Sequence, residues 1–459
     1  MTATVVERLS ELCRARKPDQ WEAYASRNRV LTVRWATSRI LEAKESLISG
    51  HSVRIVKKKS VGFSAADGAS DPAATVEAAS DAAARKPPDP RFRSLPSGGK
   101  ARPLSRDPRL AHLSLEEAVR LAEATLEAAL GGGADLDVAG SLNAVSEEVW
   151  IRNSEGVDAH EAGAFLVESL TVEKGDALSA LGTAGARRLS DFDPVQPARD
   201  ALETVGRSRR VSRAPPGRAT VLFTPDAMAE ILEQELSAGV NGQAYEYGIS
   251  FFIGKLGKRV AEPGFTLTDD NRHPGGVASK AVDDEGVPAK PLRLIDRGRL
   301  TGLVLDSYYR ECLRRKGLKS LAGGRGFRFG TVPGRSHAAT PSPSATNMVV
   351  SPGDWSAEEL VEETRRGLLV GRLWYTYLVN PAAGDFATTN RGATFLIKDG
   401  EIGPAVKPST FRIQDNILRW LGALRGLSRE RKQSSIWAGV SSCISPWARV
   451  EGVPVTRYK

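Results

Sequence analysis

The chain has 459 residues, 41% hydrophobic and 26% charged, close to the globular average; this excludes wholesale disorder and calls for two or three domains. No run approaches the roughly 18 consecutive apolar residues of a membrane helix, and the charged N-terminus is unlike a secretory signal, so a cytoplasmic location is expected. Three cysteines, Cys13, Cys312 and Cys443, are odd in number and far apart, which argues against a disulfide framework.

Charge is uneven. Residues 1–200 carry 27 Lys and Arg against 29 Asp and Glu, whereas residues 201–459 carry 37 against 26. A basic second half suits an acidic partner or nucleic acid. The aromatics are few and not interleaved with the basic residues as a stacking platform needs, so nucleic acid is not the expected partner.

In chain order, Glu7 to Arg16 reads as a short amphipathic helix. Glu22–Ser26, Val30–Trp35, Arg39–Glu45, His51–Val56 and Val61–Ser64 follow as short strands of an antiparallel meander. An Ala-rich helix is expected from about Pro72. Prolines at 87, 88, 90, 96, 103 and 108 make Lys86–Arg109 an extended crossing. Ser114-Leu-Glu-Glu117 is a capping box opening a helix that stops at Gly131-Gly-Gly133. Asp137–Ala144, Glu148–Asn153 and Ala162–Glu173 read as strands and Pro197–Val205 as a helix. The best boundary lies at Arg207–Arg213.

Beyond it, Thr220–Phe223 is a strand and Thr224-Pro225-Asp226 a strong helix start. From Gly248 the chain reads as Gly-rich loops and short strands, with hairpins at 292–305 and 393–402 and one more helix over Asp354–Gly367. The fold class expected is α+β: an N-terminal α/β domain with a curved antiparallel sheet and long helices (1–210), then a mainly β domain (211–459).

Chemistry-bearing motifs are scarce. His160-Glu161 fails the HExxH spacing and reads as surface decoration. Asp269-Asp270 and Asp283-Asp284-Glu285 could bind a hard cation, but neighbouring Asn, Gly and Pro favour turn chemistry. The helix after Pro225 buries Met228, Ile231, Leu232 and Leu236 and leaves Glu233, Gln234 and Ala238 off that stripe.

Taken together, Pro216–Pro225, that helix with Gly242, Gly248–Gly257, Asp283–Pro288, Asp296–Leu303, Gly384–Phe386 and Phe395–Ile402 resemble the TldD/PmbA family of metallopeptidases, also called modulators of DNA gyrase. The N-terminal meander, the proline-rich crossing and Arg152–Gly156 also fit that family's first domain. The resemblance implies two kinds of subunit. One carries HExxxH, with two imidazole ligands to zinc, a Glu base and a further Cys ligand near the C-terminus. Five residues rotate an ideal helix by about 140°, so that helix must be locally distorted to aim both ligands inward. The other kind, TldE or PmbA, lacks the ligands and pairs with the first.

Anchored on Gly239 and Gly242, the three functional positions fall at Glu233, Gln234 and Ala238; shifted by one they fall at Gln234, Glu235 and Gly239. Neither register supplies the imidazoles. Cys443 reads as a buried small hydrophobe. The resemblance therefore implies a metal-free, TldE-type subunit, with no catalytic, cofactor or metal residues of its own and inactive alone. Zinc is expected in a TldD-type partner, an unfolded or modified peptide as substrate, and no membrane. Asp269–Val277 and Gly323–Gly334 are candidate peptide-lining segments. Two alternatives stand beside it: a stand-alone hydrolase using the acidic pairs with His273, or a gyrase- or nucleic-acid-associated module using the Arg/Gly loop at 323–335.

Overall fold

The computed structural model describes residues 2–133, 135–176, 178–207, 210–330, 333–435 and 442–458. Two large sheets carry the fold. The first has the order β3-β2-β1-β4-β5-β6, every neighbour antiparallel, from β1 (Gln20–Ala36), β2 (Arg39–Lys57), β3 (Ser60–Asp67), β4 (Leu136–Asn153), β5 (Asp158–Lys174) and β6 (Leu178–Ala186).

Its strands are longer than the sequence suggested. The expected breaks at Arg27–Arg29, around Ser46–Gly50 and at Val145–Glu147 are absent, and each pair of short strands is one. For β1 and β4 the reason is that the middle of each strand is covered on both faces; the outer half of β2 is instead largely exposed. Along β1, odd positions Trp21, Ala23, Ala25, Leu31, Val33 and Trp35 pack in the cores beneath the helices. Even positions Glu22, Tyr24, Asn28 and Val30 face the second half of the chain. Polar residues that look like turn formers are thus buried hydrogen-bonding partners in mid-strand.

Helices α1 (Thr2–Ala15) and α2 (Pro72–Arg85) cover one end of the helical face; the latter starts where the Ala-rich helix was expected and is capped by the Asp71 carboxylate. The crossing segment ends in a single turn, α3 (Pro108–Ala111). The predicted capping box is formed at α4 (Leu115–Leu130), which with α5 (Gln196–Gly206) covers the other end.

The second sheet draws on residues 211–457. Its main path begins with β7 (Val211–Ser212), β8 (Gly217–Phe223), β9 (Leu267–Asp269), β10 (Leu292–Asp296) and β11 (Arg299–Leu300). A separate two-residue ribbon, β12 (Gly326–Phe327) with β13 (Ser342–Pro343), lies apart from it. The path continues with β14 (Asn347–Val350), β15 (Arg366–Asn380), β16 (Asp385–Lys398) and β17 (Glu401–Val406), in the order β11-β10-β9-β14-β20-β8-β15-β16-β17-β7. Here β20 is Ser442–Arg457; β18 (Phe411–Asn416) and β19 (Leu424–Ser434) pair beside it. Both predicted hairpins are present, but β15, β16 and β20 are long, not short. The helix expected over 354–367 is only Ala357–Glu362, because Arg366 onward joins the ladder beside β8. The fold is α+β, as the sequence implied.

Candidate functional site

Helix formation after β8 follows from Thr224, whose hydroxyl accepts from Ala227 N, and from Pro225 at the first turn. The helix does not stay regular. Pro225–Ile231 is α-helical, Leu232–Leu236 is a π-turn, and Ser237–Val240 is α-helical again. A π-turn is the local distortion a five-residue ligand interval demands. It falls on Glu233 and Gln234, with Ala238 just after it.

Met228, Ile231, Leu232 and Leu236 enter the main core of the second half, as the apolar stripe predicted, and Val240 joins them. Glu233 and Ala238 are half-buried and Gln234 is exposed. Glu235, in the alternative register, is fully buried, and neither carboxylate oxygen finds a hydrogen-bond partner among the described residues. Burial, helped by the charge of Glu230, pushes its pKa up to about 8. Burial likewise raises Glu230 to about 7 against the opposing pull of Thr376 and Arg372. Glu230 and Arg372 line a cavity of about 110 Å³ between this helix, β15 and the first sheet, with Thr183, Asp226 and Trp374 around it.

Cys443 is fully buried on β20, its thiol 3.8 Å from the carbonyl oxygen of Ala229. Burial first, then the charges of Glu233 and Glu230, push the thiol far above its ordinary value. Tertiary packing has therefore brought Cys443 to the helix that carries Glu233, a proximity that the resemblance implied only for the zinc-bearing kind of subunit. The side chains do not fit zinc. Gln234 cannot take a proton, Ala238 has no donor atom, and among the described residues no three His, Cys, Asp or Glu are grouped to hold a metal.

Gly239 closes the site from below. An added Cβ would stand 2.1 Å from the Phe251 ring, and Ser250 Oγ donates to the Gly239 carbonyl at 2.6 Å. Gly239→Ala is expected to lower stability by about 1–3 kcal/mol; urea titration checks this, and an unchanged midpoint would show that Phe251 swings away freely.

The acidic clusters take up roles that the sequence reading did not foresee. Asp283 and Asp270 do form the predicted Asx turns, Asp283 Oδ1 accepting from Glu285 N and Val287 N and Asp270 Oδ1 from Arg272 N. Yet Asp269, Asp283, Asp284 and Glu285 are all buried. Asp269 is bound by Arg325, Glu285 by Ser307 and Arg54, and Asp284 by Tyr24, Arg328 N and Arg335. Glu161, read as decoration, is also buried; it accepts from Arg335 Nη2 at 2.8 Å, whereas His160 is exposed and stacks on Trp150.

Arg325, Arg328 and Arg335 of the Arg/Gly loop are thus inside the protein, bound to carboxylates, and present no surface to nucleic acid or peptide. Glu22, Glu147 and Glu161 project from the first sheet, and Arg328, Lys280 and Arg335 meet them from the second half. For Glu147, burial opposes ionisation, but Lys280 and Arg335 win and bring it down to about 2. His273 lies beside the Asp270 turn, and burial lowers its pKa.

No helix among the described residues is long and apolar enough to cross a membrane. Residues 21–84 match PmbA/TldA metallopeptidase domain 1, and residues 216–457 match the PmbA/TldA metallopeptidase C-terminal domain. A metalloprotease of Methanothermobacter thermautotrophicus is 27% identical over 291 residues, 61% of this chain and 59% of the relative. A TldD-homologous metalloprotease of Haemophilus influenzae is 25% identical over 318 residues, 67% of this chain and 62% of the relative. The chain thus spans about three-fifths of the length of these curated relatives. The crystal structure of TldE from Thermococcus kodakarensis has the same fold, with a TM-score of 0.86 over 99% of both chains at 23% identity. With both ends of the chain matched and the distorted helix in place, the protein belongs to the PmbA/TldD metallopeptidase family.

Proposed function

We propose that this chain is the metal-free, TldE-like subunit of a heteromeric TldD/TldE-type zinc peptidase that processes unfolded or modified peptides. The observation that carries the reading is the helix at 225–240. It keeps the π-turn and lies beside Cys443, yet has Glu233, Gln234 and Ala238 where two ligands and a base would stand. A scaffold retained without its donors fits a partner that organises a complex and leaves the chemistry to a related, zinc-bearing subunit. The fold likeness to a TldE is consistent with this.

A stand-alone hydrolase built on the acidic pairs draws no support from the structure, because those carboxylates are bound to buried arginines or backbone amides. The test is zinc per chain in the protein purified alone, with peptide cleavage assayed with and without a subunit carrying HExxxH. Zinc near zero and cleavage only in the mixture are expected. Zinc near one per chain, or cleavage by this chain alone, would sink the reading.

A further inference from the structure

Arg213, at the end of the basic stretch read as a boundary, takes no part in the helix at 225–240 or in the ion pairs between the two sheets. At the far edge of the second sheet, the last two-residue strand β7 runs parallel to Ala405–Val406, and the chain leaves it through Arg213 and two prolines into β8. There it borders an open groove of about 910 Å³ whose other wall is the C-terminal strand β20. Arg213, Arg218 and Arg457 line it together with Ser409, Thr410 and Tyr458, and no acidic side chain does. All three arginines are exposed, and none forms an ion pair among the described residues. Arg218 spends one N–H on the Gly452 carbonyl at 2.8 Å, which fixes its stem and leaves the rest of the fork to the groove.

We propose that this groove is a docking site for an acidic peptide segment. Planar guanidiniums with no internal carboxylate are matched by carboxylates supplied from outside, to which Arg bonds bidentately. Nucleic acid is the poorer fit: Tyr458 is the one aromatic lining it, and its hydroxyl is engaged with Thr389 Oγ1 at 2.8 Å, so there is no stacking platform. The choice of a peptide rests on the peptide-processing reading above. The site itself needs neither zinc nor a second subunit.

The experiment is fluorescence anisotropy on the full chain with three labelled probes: a Glu/Ser peptide, its Gln/Ser counterpart, and a single-stranded oligonucleotide of equal charge. Arg213→Glu with Arg457→Glu is compared with Arg85→Glu with Arg297→Glu, a pair of exposed arginines elsewhere that changes net charge equally. Binding of the Glu/Ser peptide alone is expected, weakened about tenfold or more by the groove pair and less than about twofold by the control pair. Should charge reversal unfold the chain, Arg213→Gln with Arg457→Gln carries the same comparison. Equal losses in both pairs, no binding of the Glu/Ser peptide, or tighter binding of the oligonucleotide would each overturn the proposal. Zinc content and cleavage are not read in this assay, so its failure and failure of the subunit reading are separate results.

Discussion

Arg335→Met is expected to destabilise the protein by about 3–5 kcal/mol at neutral pH, the largest effect of any single substitution considered. Arg335 is completely buried between the two halves of the chain. Its guanidinium donates to Glu161 at 2.8 Å and to Asp284 at 3.4 Å and lies 3.6 Å from Glu147, while its backbone N–H also reaches Glu147. Burial works against its charge, but Glu161, Asp284 and Glu147 outweigh that and hold the proton more tightly than in water. Methionine fills much of the volume and leaves three carboxylates, one still held by Lys280, with less compensation in a low-dielectric interior.

The deficit should shrink as pH falls towards 5, because protonation relieves the stranded acids, and it should be partly repaired by Glu161→Gln in the same chain. Denaturant titration at pH 5 and pH 8 measures both. Arg297→Met, on a side chain 84% exposed, is the comparison and should lie within about 0.5 kcal/mol of the parent. If Arg335→Met behaved like Arg297→Met, the domain-spanning ion pairs would not be what joins the halves.

The second large effect is a loss of stability with rising pH, of which Glu235→Gln removes the share due to that residue. Glu235 has a pKa of about 8 in the folded chain, against roughly 4.3 when unfolded. Below pH 4 both states carry the proton and the residue is neutral in its effect. As pH climbs from 4 towards 8, the unfolded chain releases the proton and the folded chain keeps it, so the unfolded state gains. The loss accrues at up to about 1.4 kcal/mol per pH unit and saturates above the folded pKa.

Glutamine keeps the shape without the proton. The two proteins should therefore be similar near pH 4.5, and the variant more stable by about 2–4 kcal/mol at pH 8.5. Urea midpoints across that range decide it; parallel curves would mean that Glu235 is ionised in the folded chain like any exposed acid. Glu168 and Asp306 are each also raised to about 8, by burial and, for Asp306, by the charge of Glu285. The Glu235→Gln variant should thus still weaken between about pH 4 and 8, by the share these two residues contribute. Below about pH 4 the slope reverses, because Glu147 is stabilised as a carboxylate and its contribution disappears as it protonates.

How much of this was legible depends on the range of the interaction that carries it. Helix starts at Ser114 and Thr224 were readable because a cap and the amides it satisfies lie within three residues. The Asx turns at Asp270 and Asp283 were readable for the same reason. Strand continuity through Arg27-Asn28-Arg29 was not, because the group that makes Asn28 a mid-strand residue is the Arg335 carbonyl, 307 positions away. The same blindness made Glu161 look like surface and the arginines of 323–335 look like a basic loop, when each completes the other's charge in the interior.

At the candidate site, sequence alone established that Glu233, Gln234 and Ala238 cannot supply two imidazoles and a base, since side-chain chemistry does not depend on fold. It also set the α+β class, through the alternation of β-branched runs with capped amphipathic stretches. The tertiary structure decided what local patterns cannot encode. The π-turn has no signature in composition, and it lies on a helix held by the core. Cys443 reaches that helix only because β20 pairs with β8, the strand that leads into it. Glu235 keeps its proton because the fold removes it from water without giving it a partner, and desolvation is a property of the packed chain, not of the residue.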